Sequence, residues 1–241
     1  MEITKLRDSE NFVEIFDGPS VYYGGSQAWF DFTVGKYGAC STIAVANAAA
    51  YMAGQDAKYC PLFNFCGSPK ITKFEFKAHM NRVYEYVKPM KIPWIDKNTP
   101  ALKVGKYYFG WTFGLWRLST LVKGFQEFAW CRGVKLEPWY CTGNCSRENI
   151  IGFIKDGLSK NSPVLLLIGF NPKLKNCVIH SPRGKWIHSC SRHWVTITEL
   201  REDRTSGKTN VKVSTWGGYS FLDLDDLMAD KGLRHRLVFF T

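Results

Sequence analysis

Apolar and polar positions alternate only weakly over residues 1–35, where aromatic turns such as Tyr22-Tyr23-Gly24-Gly25 interrupt them, so this stretch predicts irregular structure with short strands. From Cys40 to Met52 the pattern changes. Ser41, Ala44, Ala46, Ala48, Ala49 and Ala50 are small and helix-tolerant, and Gly54 stands where a glycine would end a helix. The segment predicts a slender helix suited to close packing in the middle of a domain. Residues 55–72, with Pro61, Gly67 and Pro69, predict a loop. Phe74, Phe76, Met80, Val83, Tyr84 and Val87 then recur at helical spacing from Lys73 to Val87, and Pro89 ends that helix. A Pro-, Gly- and aromatic-rich stretch runs from Lys88 to Gly114. Further helices are predicted around Leu115 to Cys131 and from an N-cap at Ser146 to about Lys160.

The last third has the strand period. Pro163 to Ile168 is a short continuous apolar run, the pattern of a buried strand, and Trp194 to Leu200 and Val211 to Trp216 are further strands separated by a polar hairpin loop, Arg201 to Asn210. Leu237 to Phe240 is placed to close the sheet, and Leu222 to Leu227 predicts a short strand running into a capped turn or helix. Helices first and strands later, without βα alternation, predict an α+β class. The expected organisation is a single domain, with an N-terminal segment over 1–35, a helical lobe over about 36–160 and a β lobe over about 161–241. No internal repeat is visible.

Composition narrows the function classes. With 241 residues, 45% hydrophobic and 22% charged, the chain is neither disordered nor low in complexity, and its longest apolar stretches fall short of the roughly 20 residues that cross a bilayer. No membrane partner is expected. The first residues lack a basic region leading into an apolar one, so cytoplasmic residence is expected, or secretion if a signal has been removed ahead of Met1. Thirty-two Lys and Arg against 21 Asp and Glu give a net charge of +11. The positive charges are spread through Lys58, Lys70, Lys73, Lys77, Lys88, Lys91, Lys97, Lys103 and Lys106 without a run of four, a pattern read as a solvated basic surface, with nucleic acid or another polyanion as the alternative. Eight cysteines without an export signal are expected as reduced thiols. Cys141 and Cys145 have a spacing compatible with two zinc ligands, but no second close pair follows and no metal is expected. The aromatic stretch Tyr107 to Phe113 reads as a hydrophobic loop over a core, with base or sugar stacking as its alternative.

Candidate chemistry centres on Cys40. It stands at the first turn of the Ala-rich helix after Gly35-Lys36-Tyr37-Gly38-Ala39, where the helix dipole favours thiolate over thiol, so a pKa well below that of a free thiol is expected. His193 opens the alternating strand His193-Trp194-Val195-Thr196-Ile197 and sits where a cleft can reach its imidazole; His180 and His188 are the competing partners. On the next strand the period of two puts Ser214 and Trp216 on one face. Ser214 is expected to orient His193 through Nδ1, and Trp216 to shield it.

Gly38-Ala39-Cys40-Ser41-Thr42-Ile43-Ala44-Val45-Ala46-Asn47, His193-Trp194-Val195-Thr196-Ile197 and Ser214-Thr215-Trp216-Gly217 together resemble the papain-like cysteine peptidase superfamily, closest to the bacterial branch that includes bacteriocin-processing peptidases. The resemblance covers the order of elements from about residue 27 to the end. It implies a helical lobe carrying the thiol, an antiparallel β lobe carrying the imidazole, and a cleft between them. It further implies peptide or amide cleavage of a peptide or protein substrate through a Cys40 acyl-enzyme, without cofactor. Papain-like enzymes place a glutamine about six residues before the nucleophile as an oxyanion donor; here that position is Val34, and Gln27 is the nearest glutamine. The third catalytic position, usually Asn or Asp, falls on Ser214. A catalytically silent basic module on the same fold, holding a polyanion or glycan, is the alternative function.

Overall fold

Val164 to Ile168, the most continuous apolar run of the last third, is buried at every position and flanked by strands on both sides. This is seen in a computed structural model that describes residues 1–68, 70–89, 102–104, 107–109, 115, 117–229 and 235–241. The first part of the chain forms β1 (Glu2–Lys5), β2 (Glu14–Asp17), β3 (Ser20–Tyr23), α1 (Thr33–Gly38), α2 (Cys40–Gln55), β4 (Ile71–Thr72), α3 (Lys73–Tyr84), β5 (Leu102–Val104), β6 (Tyr107–Phe109), α4 (Leu118–Trp130), β7 (Pro138–Gly143) and α5 (Arg147–Ser159). The rest forms β8 (Val164–Ile168), β9 (Cys177–Ser181), β10 (Gly184–His188), β11 (His193–Glu202), β12 (Thr209–Thr215), β13 (Gly218–Asp223), α6 (Leu224–Met228) and β14 (His235–Phe240). Short 3₁₀ turns lie at Gln27–Trp29, Ala57–Leu62 and Pro172–Asn176.

The class is α+β. The main sheet runs β10-β9-β13-β12-β11-β8-β14-β7, with β1 paired to β11, and its pairings are antiparallel. Two of its strands come from outside the segment expected to supply the sheet: β1 lies against the second half of β11, and β7 against β14. Both are short and lack a clean alternation of apolar and polar residues, so only the pairing reveals them.

Helix α2 is central because it is small. Every residue from Cys40 to Ala53 is buried, and the alanines let its backbone approach β11 and α3 closely. The helix runs one turn further than expected: Gly54 is inside it, and Asp56 follows as the cap of the next 3₁₀ turn, accepting the amide of Lys58 at 3.0 Å. Thr72 and Glu75 form a reciprocal capping box at the start of α3, and Ser146 caps α5 by accepting the Asn149 amide at 3.2 Å. Asp223 caps α6 through the amides of Asp225 and Asp226. The region expected to be all loop contains the 3₁₀ turn at 57–62 and β4, and it carries a correction to the expectation of eight thiols: Cys60 and Cys66 are joined as a disulfide, with Cα atoms 5.5 Å apart. Among the described residues no helix is long and apolar enough to cross a membrane.

Candidate functional site

The thiol of Cys40 sits where two helices meet. Helix α1 ends at Gly38, Ala39 leaves the helical region with φ −93° and ψ 28°, and α2 starts at Cys40. The sulfur accepts the backbone N–H of Trp194 and lies against the amides of Ser41 and Cys40 itself, so it is held at the first peptide of β11. Those amides favour thiolate. Burial opposes them and wins, raising the pKa above that of an ordinary thiol, so the expected depression is corrected by desolvation.

His193 opens β11 and is buried. Its Nε2 is 2.8 Å from the Thr215 hydroxyl, and the Trp216 indole lies over its ring at 4.7 Å between centroids with only 2° between the planes. Removal from water, with His188 as a second and like-charged neighbour, lowers its pKa to about 3. His188 meets the same indole edge-on at 4.4 Å, and His180 stacks on Tyr219 at 4.9 Å instead. Of the three histidines, His193 is the one that lines a cavity with Cys40.

Ser214 does not orient the imidazole. Its hydroxyl donates to the Tyr23 carbonyl at 2.9 Å and receives Asn47 Nδ2 at 3.3 Å. Strand parity explains the correction: Ser214 lies directly opposite Thr196, so those two side chains share one face, while His193, three residues before Thr196, belongs to the other. Thr215 lies on that other face. Trp216 reaches the ring by a different route, because β12 has already ended. Trp216 and Gly217, with φ of 54° and 74°, are the central residues of a two-residue turn between the paired Thr215 and Gly218. A non-glycine residue at positive φ is costly, and here it lays the indole across His193.

Asn47 completes a polar bracket beneath the site. Two helical turns after Cys40, and so on the same face of α2, it accepts the Gly25 amide at 2.8 Å through Oδ1 while Nδ2 reaches Ser214. Gly24, at φ 77°, fits against both side chains, and a Cβ there would collide with Ser214 Oγ and stand 2.9 Å from Asn47 Nδ2. The bracket ties α2, residues 23–25 and β12 together, and the following residues carry Gln27 to the cavity.

Gln27 opens a 3₁₀ turn capped by Ser26, and the chain between it and Cys40 folds back so that Gln27 Nε2 donates to the Lys36 carbonyl at 2.9 Å. Its Oε1 is buried and has no hydrogen-bond partner among the described residues. Val34, six residues before Cys40, is a buried residue of α1. Cys40, His193, Thr215, Trp216, Gln27 and Asn47 all line one cavity of about 10 Å³, about the space one water molecule needs. Sequence reasoning missed Thr215 and Asn47. The parity of β11 against β12 would have found the first, and the spacing of seven residues from Cys40 the second.

The other candidates separate from this site. Lys58, Lys73, Lys77 and Lys88 each pair with a carboxylate, of Asp56, Asp17, Asp31 and Glu85, as on a solvated surface. The side chains of Lys91, Lys97, Lys103, Lys106 and of the aromatic stretch 107–113 lie outside what is described. Cys141 and Cys145 have sulfurs 2.9 Å apart, and no group of three or more His, Cys, Asp or Glu able to hold a metal occurs among the described residues. Compared with known proteins, the chain matches no protein-family model and no curated protein.

Proposed function

We propose that the chain is a papain-like cysteine hydrolase that cleaves a peptide or amide bond without a cofactor. The observation that carries this reading is the convergence on one cavity of a helix-start thiol, an imidazole with a hydroxyl on its far nitrogen and an indole over its face, and a glutamine. With the Nε2 proton donated to Thr215 Oγ1, the Nδ1 lone pair is left to accept the Cys40 proton. The sulfur then attacks the substrate carbonyl carbon, and the negative charge gathers on its oxygen beside the Cys40 amide and the second N–H of Gln27 Nε2, the first being held by the Lys36 carbonyl. Collapse breaks the C–N bond, the imidazolium returns its proton to the leaving amine, and a thioester remains on Cys40. Water, deprotonated by His193, releases the acid and restores the thiol. The substrate carbonyl takes the place of the water-sized volume at the sulfur.

The test is acyl-enzyme trapping. A set of peptide active esters should give a burst of one equivalent per chain, with the added mass on Cys40, lost in Cys40→Ala and strongly slowed at neutral pH in His193→Ala. Acylation spread over the exposed Cys131, or unchanged by His193→Ala, would refute the hydrolase.

One observation favours the second reading, a catalytically silent basic module holding a polyanion or glycan: burial keeps both Cys40 and His193 neutral. Absence of the burst, together with retention on heparin that survives Cys40→Ala and weakens with salt through counterion release, would select it.

A further inference from the structure

Six of the eight cysteines meet in three pairs, none of which involves the candidate nucleophile. Cys60 and Cys66 bridge the start of the segment between α2 and β4. Cys141, in β7, faces Cys145 across the turn that follows the strand, with the sulfurs 2.9 Å apart, inside the contact distance of two unbonded sulfurs. Cys177 begins β9, opposite His188, and Cys190 follows β10, so the two stand at the open end of one hairpin. Their geometry converges on a single acceptor: the Cys190 amide donates to the Leu174 carbonyl at 2.9 Å and the Cys177 thiol to the same oxygen at 3.3 Å. The two residues thus meet at one carbonyl oxygen, and both side chains are buried. All eight cysteines are among the described residues, and Cys40 and Cys131 are the two outside these pairs.

We propose that Cys141–Cys145 and Cys177–Cys190 close as disulfides alongside Cys60–Cys66, so that the mature protein carries three intramolecular bridges and two thiols, Cys40 and Cys131. Two thiols without further ligands cannot build a closed tetrahedral zinc site, whereas sulfurs in contact, as at Cys141 and Cys145, or cysteines paired at the end of one hairpin, as at Cys177 and Cys190, need only small rotations to bond. Each bridge forms by exchange with a disulfide oxidant, a small thiol's disulfide or an enzyme's. One protein thiolate attacks the oxidant and releases the first reduced thiol; the second protein thiolate attacks the mixed disulfide and releases the other. Two protons and two electrons leave each pair, and the oxidant departs as two thiols. Because Cys141, Cys177 and Cys190 are buried in the folded chain, closure belongs to folding, and it calls for an oxidising compartment in place of the cytoplasmic residence expected from the first residues. The hairpin bridge would also anchor β10, whose His188 packs on the indole that covers His193.

The inference is independent of the hydrolase reading and is tested without activity. The reduced, unfolded chain is refolded in a buffer of oxidised and reduced glutathione, quenched with acid, denatured and alkylated without reductant. Expected are two alkylated sites, Cys40 and Cys131, a mass deficit of six hydrogens, and peptides linking 60 to 66, 141 to 145 and 177 to 190. Fewer than three bridges, or any other pairing, overturns the proposal. Cys145→Ser and Cys190→Ser should each add one alkylated site, at Cys141 and Cys177 respectively, and leave the other two bridges intact; recruitment of Cys40 or Cys131 into a new bridge counts against it.

Discussion

Thr215 and His193 are joined by a 2.8 Å hydrogen bond to Nε2, which leaves Nδ1 as the nitrogen available to a thiol. A hydroxyl is neutral and short, so it fixes the ring while doing less than a carboxylate to stabilise an imidazolium. Thr215→Ala should therefore slow Cys40 acylation about fivefold, the effect of losing one neutral hydrogen bond of ~1 kcal/mol, and Thr215→Ser should restore most of the rate. Ser214→Ala should act chiefly on stability, because its partners are Tyr23 and Asn47. Burst kinetics and thermal melts of the three variants separate the roles; a larger kinetic loss in Ser214→Ala than in Thr215→Ala would contradict them.

Burial sets the pH profile of the same step. Cys40 is held as thiol, and His193, with its pKa near 3, is a neutral base at every pH well above that value. A thiol activated by a base that does not titrate should be acylated at a rate that is flat from pH 5 to about pH 8. In His193→Ala only the thiolate route is left, and the rate should rise about tenfold per pH unit as thiolate forms. Stopped-flow acylation across this range decides it; a rise centred near pH 6.5 in the wild type would mean that the imidazole is not depressed.

Two buried neutral histidines also make the fold sensitive to acid. His79 is enclosed by Phe63, Phe76 and Phe128, with Nε2 on the Ala46 carbonyl at 3.1 Å, and burial lowers its pKa to about 3, like that of His193. In the unfolded chain both take up protons from about pH 6.5 downward, while the folded chain refuses them until about pH 3. The unfolded state thus binds more protons across this window, and stability falls as pH falls by about 1.4 kcal/mol per unit for each histidine. Urea midpoints measured between pH 7 and pH 4 should decline accordingly. His79→Gln, whose amide can still reach the Ala46 carbonyl, should make the decline shallower; an unchanged slope would remove His79 from the account.

What the sequence made legible follows from which signals are local. The small-residue run marked α2 because a helix buried all round needs alanine, and Ser146 marked α5 because an N-cap writes its own residue type. The sheet was legible where runs were long and apolar, as in β8 and β11. Strand β7, and the place of β1 in the main sheet, escaped because they depend on distant partners, His235–Phe240 and Glu199–Glu202. At the site, Cys40 and His193 were found by position at the start of an element. The orienting residue was misassigned by one because the period of two was carried through Trp216, where the chain has already turned. Close cysteine pairs such as Cys177 with Cys190, thirteen residues apart, follow from hairpin pairing and not from spacing.

The bracket of Asn47, Ser214 and residues 23–25 gives the last test, because it links the thiol helix to the segment that delivers Gln27. Asn47→Ala removes the acceptor for the Gly25 amide and the donor to Ser214, so a buried N–H loses its partner, which costs about 1–3 kcal/mol. Ser214→Ala leaves the Tyr23 carbonyl without its donor. Since both substitutions disrupt one network, the double variant should be less destabilised than the sum of the singles, by about 0.5 kcal/mol or more. Gly24→Ala is the harsher probe. It places a methyl against both side chains at a backbone angle that costs an alanine roughly 1–3 kcal/mol in strain, and it should displace Gln27 along with the turn. Its acylation rate should therefore fall beyond what its loss of stability explains when measured well below its melting point. Additive singles, or a Gly24→Ala variant acylated at the wild-type rate, would show that the bracket does not position the site.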